Sequence, residues 1–203
     1  MRFKTILGSP FFIFLGLAIA HTLPASFGYW LSRRIARHMS RRRNRLFRTL
    51  RANIAQVVGP QATAEQLDAM AERAIYHAGC TYYDMFHYGR NALRHYDIAL
   101  RTSPEVWEAV RTALHSRRGA ILVGAHMSNF DLAAQWIAAQ GVELQALSLT
   151  EPDWGTRVVN EIRRRRGLVV TPVGVEALRS ALKRLRNGGI VMTGVDRPLS
   201  EHD

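Results

Sequence analysis

From Gly119 to Val195 the chain keeps one alternation, and that alternation limits the fold more than any other feature. Ala120–Gly124 is a short apolar run, and Asn129–Gln140 has helical spacing and stops at Gly141. Val142–Leu149 reads as a strand, Trp154–Arg166 as a helix closed by Gly167, and Leu168–Pro172 as a strand. Val175–Asn187 is again helical, closed by Gly188, and Ile190–Val195 is apolar. Glycine after the last helical residue is a stop signal, because it enters the left-handed region without steric cost. Parallel strands cannot be joined by a tight turn, so each return needs a covering segment. The pattern therefore predicts an α/β protein with a mainly parallel sheet flanked by helices.

One residue pair in this region has chemical potential. His126 follows the first strand, and Asp131 opens the next helix. Within a single helix, five residues would separate them by roughly 140°, on different faces. They can meet only if His126 lies in the turn and Asp131 in the first helical turn. That position, past the carboxyl end of a strand, is where α/β folds hold ligands. A histidine there can take a proton while a carboxylate fixes its tautomer and stabilises the imidazolium. The same two residues could instead serve a structural hydrogen bond and a helix N-terminus.

Charge is divided unevenly. No Asp or Glu precedes Glu65, whereas Arg2, Lys4 and nine arginines from Arg33 to Arg51 do. Residues 1–64 thus carry +11 of the net +12, and the remainder of the chain is almost neutral. A nucleic-acid function would have to rest on the N-terminal arm alone, and none is expected. The lone Cys80 rules out an internal disulfide and a Cys-rich zinc site. His126 has no partner histidine at ligand spacing, so no metal is expected.

Ile6–Ala20 is apolar but short for a bilayer span; with Leu23–Leu31 it becomes long enough. Arg2, Lys4 and Ala18-Ile19-Ala20 also resemble a signal peptide. The arginines that follow favour an uncleaved anchor with the body on the cytoplasmic side. The expected organisation is an anchor over 1–31, a basic helical region over 32–118 and an α/β core over 119–203. Ile35, Met39, Leu46, Leu50, Ile54 and Val57 suggest one apolar helical face, with the arginines along a membrane surface rich in anionic headgroups. Thr63 and Gln66 form a capping box, and Ser103-Pro104-Glu105 opens a helix that runs to about His115. Tyr76, Tyr82, Tyr83, Phe86 and Tyr88 read as core packing.

With these residues in view, the chain resembles the lipid A late acyltransferases of the lauroyl/myristoyl type, a family that includes phosphatidylinositol mannoside acyltransferases. The likeness runs in order through Arg51-Ala52-Asn53, Tyr82-Tyr83-Asp84, Val123 to Asp131, Asn160 through Gly167, Leu185 to Val191, and Asp196-Arg197. It implies a glycerolipid-acyltransferase-like fold, incomplete here because the family continues past the Asp196 region. It also implies an inner-membrane O-acyltransferase that moves a fatty acyl chain from an acyl carrier protein or coenzyme A thioester to a glycolipid hydroxyl. No other cofactor is implied. His126 would be the general base and Asp131 its orienting carboxylate. Asn129, Arg163, Asp196 and Arg197 would contact substrate, with Arg163 facing the oxyanion or a substrate phosphate. The family usually has Gly where Ser128 stands. The competing readings are a non-catalytic, membrane-tethered protein that binds anionic lipid and a serine hydrolase built on Ser128. The latter lacks the G-x-S-x-G elbow.

Overall fold

The computed structural model describes residues 10–88, 103–152 and 154–196, with side chains from residue 14 onward. The chain forms two compact units, one of residues 17–87 and one of 88–203 together with 1–16.

The first unit is helical. Helix α1 (Pro10–Thr22) lies across its edge in the sequence; α2 (Ala25–Arg41), α3 (Arg45–Val58) and α4 (Ala64–Tyr88) follow. The expected membrane anchor over residues 1–31, of which 1–9 lie outside the described residues, finds no support here. Leu23-Pro24 separates α1 from α2, and α1 at 13 residues is only about 20 Å long, against a hydrocarbon core of about 30 Å. Among the described residues, no helix is long and apolar enough to cross a membrane.

The single apolar face expected through residues 35–57 is also divided. Asn44 caps α3 by accepting a hydrogen bond from the Phe47 amide at 2.9 Å, which breaks the basic segment into two helices. Ile35, Leu46 and Val57 are exposed, whereas Gly28, Ser32, Ala36 and Met39 form the buried seam of α2. Small residues allow close approach along this seam. A Cβ on Gly28 would collide with the Tyr83 ring, and one on Gly79 would stand 2.7 Å from Ser32 Oγ.

Polar groups in this unit are matched across the helices. Tyr83 Oη donates to Leu23 O at 2.8 Å, and Tyr29 Oη donates to the buried Asp84 at 2.8 Å. Arg43 and Arg51 both meet Asp68, each at 2.5 Å. The capping box forms as expected: Thr63 N donates to Gln66 Oε1 at 2.8 Å, and Gln66 N to Thr63 Oγ1 at 3.2 Å. Of the aromatic set, Tyr83 is buried, but Tyr82 is 58% exposed and is not core. Burial raises the thiol of the half-buried Cys80 above its ordinary range.

The second unit holds the alternation. Helix α5 (Pro104–His115) precedes β1 (Ala120–Gly124), α6 (Phe130–Ala139), β2 (Leu144–Ser148), α7 (Trp154–Arg165), β3 (Leu168–Pro172), α8 (Val175–Arg186) and β4 (Ile190–Gly194). The four strands are all parallel, in the order β1-β4-β2-β3. Right-handed crossovers then decide the layers. The β1–β2 and β2–β3 connections run in one direction across the sheet, so α6 and α7 cover one face. The β3–β4 connection runs back, so α8 covers the other.

Side chains agree with this assignment. Leu144, Ala146, Leu168, Val170 and Ile190 share one face and pack on Ala134 and Ile137 of α6, with Trp107 of α5 against Trp136, their ring centroids 4.2 Å apart and planes tilted by 55°. On the opposite face the fully buried Gln145 meets Thr171 at 2.9 Å, and Arg184 of α8 at 3.3 Å. Gly119 and Gly188 take positive φ where β1 enters beside α8. A Cβ on Gly188 would stand 2.8 Å from Arg117 O. These turns fix the register of β1 on β4, Ala120 opposite Ile190 and Gly124 opposite Gly194.

Candidate functional site

The β1–β4 register decides what lies beside His126. The ladder continues beyond the strands, with Val195 N donating to Gly124 O at 3.3 Å, so residues 195–196 run alongside 125–126. Asp196 therefore reaches His126 twice. Its Oδ2 accepts from the His126 backbone amide at 2.7 Å, and its Oδ1 lies 2.6 Å from Nδ1. A carboxylate at Nδ1 selects the tautomer that carries a proton there and leaves Nε2 as acceptor. Among the described residues, Nε2 has no hydrogen-bond partner. The His126 side-chain bond, followed by the backbone one, holds the Asp196 carboxyl below the usual carboxylate range.

Two further contacts set the ring. Phe130 meets it edge-on, with centroids 5.0 Å apart at 76°. Gly194 lies beneath it, where an added Cβ would come within 2.5 Å of His126 Cε1. The turn between β1 and α6 passes through Ser128 at φ +55°, a left-handed conformation that suits glycine better. This accounts physically for the glycine expected at that position.

Asp131 lies elsewhere. It is the buried end of a bidentate pair, accepting from Arg163 Nε at 2.6 Å and from a terminal guanidinium nitrogen at 3.0 Å. The other terminal nitrogen of Arg163 donates to Asn160 Oδ1 at 2.9 Å, and Asn160 in turn donates to Ser148 Oγ at 2.8 Å. This network ties the start of α6 to α7 and to the carboxyl end of β2. Arg166 extends it by donating to Gln135, one turn along α6. Arg164 and Arg165 face solvent near Glu161.

The sequence expectation thus divides. His126 and Asp196 are brought together, and so are Asp131 and Arg163, but Asp131 makes no hydrogen bond to His126. In place of the expected His126–Asp131 contact, the end of β4 brings the Asp196 carboxylate to Nδ1, and α7 pairs Asp131 with Arg163. Asn129 sits at the head of α6 and its side chain makes no capping bond. Arg197 lies outside the described residues. Gly194 was not singled out from the sequence. Its signal, a glycine at a strand end, has meaning only once β4 is known to border β1.

A broad concavity of about 1000 Å³ lies along α5, lined in part by Glu108, Arg111, Thr112 and Ser116. It adjoins Gly119, at the entry to β1, and so is at the end of the strand away from His126. The described residues contain no group of three or more His, Cys, Asp or Glu that could hold a metal ion.

The described residues thus form an α/β unit whose parallel sheet carries an imidazole–carboxylate pair beyond its strand ends, where such folds hold ligands. The comparisons narrow this further. Residues 3–203 match the family described as bacterial lipid A biosynthesis acyltransferase, and the chain belongs to that family of acyltransferases. No curated protein gives a significant match to the chain.

Proposed function

We propose that this chain transfers a fatty acyl group from an acyl carrier protein or coenzyme A thioester to a hydroxyl of a glycolipid, either a lipid A precursor or a phosphatidylinositol mannoside. The reaction takes place at the cytoplasmic face of the bacterial inner membrane. The donor is a substrate, and no further cofactor enters. His126 Nε2 accepts the acceptor's hydroxyl proton as that oxygen attacks the thioester carbonyl. The C–O bond forms, the C–S bond breaks, and the proton passes from Nε2 to the departing thiolate. Asp196 holds Nδ1 and stabilises the imidazolium during this exchange.

Asp131 has a different part in this reading. Its pair with Arg163 fixes the first turn of α6, and the leading N–H groups of that helix, uncapped by Asn129, face the developing oxyanion. The single observation that carries the reading is the pair of hydrogen bonds that His126 makes to the Asp196 carboxylate, with Nε2 unengaged among the described residues. It is supported by the family's acyltransferase chemistry.

The test is transfer of radiolabelled acyl groups from an acyl carrier protein thioester, and separately from acyl coenzyme A, into lipid A precursors and total glycolipid. His126→Ala should lose at least about 10²-fold in rate, the range expected for a general base. A folded His126→Ala protein with full transfer activity would remove His126 from the mechanism.

A further inference from the structure

We propose that Asn160 is a positioning residue for acyl transfer, acting through Arg163 and Asp131 on the first turn of α6. Its effect on rate rests on the acyl-transfer reading above; its hold on α6 does not. Of the described residues of α7, only Asn160 is buried, at 3% exposed. An apolar side chain would fill such a position without further demands, whereas a buried amide is tolerated only when it is hydrogen-bonded. Asn160 meets that condition at both ends. Its Nδ2 donates to Ser148 Oγ at 2.8 Å, and its Oδ1 accepts from Arg163 Nη1 at 2.9 Å. A guanidinium only donates, so Oδ1 must face Arg163 and Nδ2 must face Ser148. The amide can lie only one way round.

Ser148 is a fixed origin for this line of bonds. It closes β2, is 9% exposed, and its carbonyl accepts from Val173 N at 2.8 Å, so the loop after β3 holds it as well. At the far end Asp131, the second residue of α6, takes the other two sides of the guanidinium at 2.6 and 3.0 Å. The carboxyl end of β2 is thereby tied through α7 to the first turn of α6. Phe130, the residue before Asp131, meets the His126 ring edge-on at a centroid distance of 5.0 Å. A displaced first turn would move the leading N–H groups of α6 and the Phe130 edge together. Without Asn160 the guanidinium keeps Asp131 but loses the contact that sets its plane against β2.

The experiment uses the full chain and two readouts. Hydrogen exchange at Ala133, whose amide closes the first turn on Asn129 O at 3.0 Å, reports on α6. The amides of Ala146 and Met192, in the inner strands β2 and β4, report on the sheet. Asn160→Leu should speed exchange at Ala133 at least about tenfold relative to the sheet amides. Asn160→Asp keeps one oxygen for Arg163 and offers the other to the Ser148 hydroxyl, so it should restore the wild-type ratio. In transfer from the acyl carrier protein thioester, Asn160→Leu should lower kcat by about 10- to 100-fold with KM unchanged, as a misplacement near 1 Å would. Asn160→Asp should recover most of that loss. Exchange that quickens equally in α6 and the sheet would make Asn160 a general packing residue and overturn the proposal. Wild-type kcat in a folded Asn160→Leu protein would overturn it too. The exchange ratio decides the hold on α6 whatever His126→Ala does to transfer, so failure of the acyl-transfer reading stays distinct.

Discussion

Replacing Asp131 by Asn separates two roles that a carboxylate in this position could have. In the structure the Asp131 and Arg163 side chains are 11% and 17% exposed, and their contact is bidentate at 2.6 and 3.0 Å. Charges about 4 Å apart attract by about 4 kcal/mol at an effective dielectric of 20, before the desolvation of both groups offsets part of this. Loss of the carboxylate leaves the guanidinium half-partnered, with Asn160 Oδ1 as its remaining acceptor. Breaking one side of a buried pair typically costs 3–5 kcal/mol. The asparagine keeps one acceptor oxygen, so the expected loss is about 2–3 kcal/mol for Asp131→Asn and more for Asp131→Ala.

The assay is urea denaturation followed by near-ultraviolet circular dichroism of the closely packed, tilted Trp107–Trp136 pair, which belongs to the same unit. An Arg163→Met, Asp131→Leu double variant should recover much of the loss, because both charges are then gone. Unchanged stability in Asp131→Asn, combined with a hundredfold fall in kcat, would refute the reasoning. It would return Asp131 to the role of His126 partner.

Three other outcomes follow from the same geometry. The Asp196 carboxyl is depressed chiefly by its bond with the His126 side chain, so the contact is complete above the ordinary carboxylate range and is lost as pH falls through the lowered value. A carbon-detected titration of the Asp196 Cγ should therefore show a midpoint below that of a free aspartate, and a raised midpoint in wild type contradicts the contact. Gly194→Ala should displace the imidazole and abolish transfer while the melting temperature stays within a few degrees; an active Gly194→Ala enzyme would mean that the ring is not held there. At Ser128, glycine should be tolerated and Ser128→Val should cost about 2 kcal/mol, because a β-branched residue is strained at positive φ. Equal melting temperatures for the two variants count against the left-handed turn.

The strand–helix alternation was legible because each element carries its own periodicity and its own glycine stop. Every expected strand appears, within one or two residues at the ends. Strand order was not legible. Nothing in Ile190–Gly194 states that it will insert between β1 and β2, yet that insertion places Asp196 against His126. The H-x4-D spacing therefore placed His126 in the turn after β1 but named Asp131, where the structure has Asp196 against the ring. In the helical unit, the apolar residues between 35 and 57 suggested one continuous face because periodicity is blind to a cap. Asn44 resets the helix phase, and small residues form the buried seam instead. The anchor expectation finds no support for a related reason: hydropathy sums across Leu23-Pro24, but the described backbone breaks the helix there.

The strand order also has a consequence in time. Among the described strands β1 pairs with β4 alone, and β4 is the last of the four to leave the ribosome. Until residues 190–194 emerge, β2 and β3 can pair while β1 has no neighbour, and the histidine waits in an unsupported turn. Sheet closure and arrival of Asp196 are thus nearly one event, separated by two residues of synthesis. A nascent chain that stalls earlier holds His126 without the carboxylate that orients its ring.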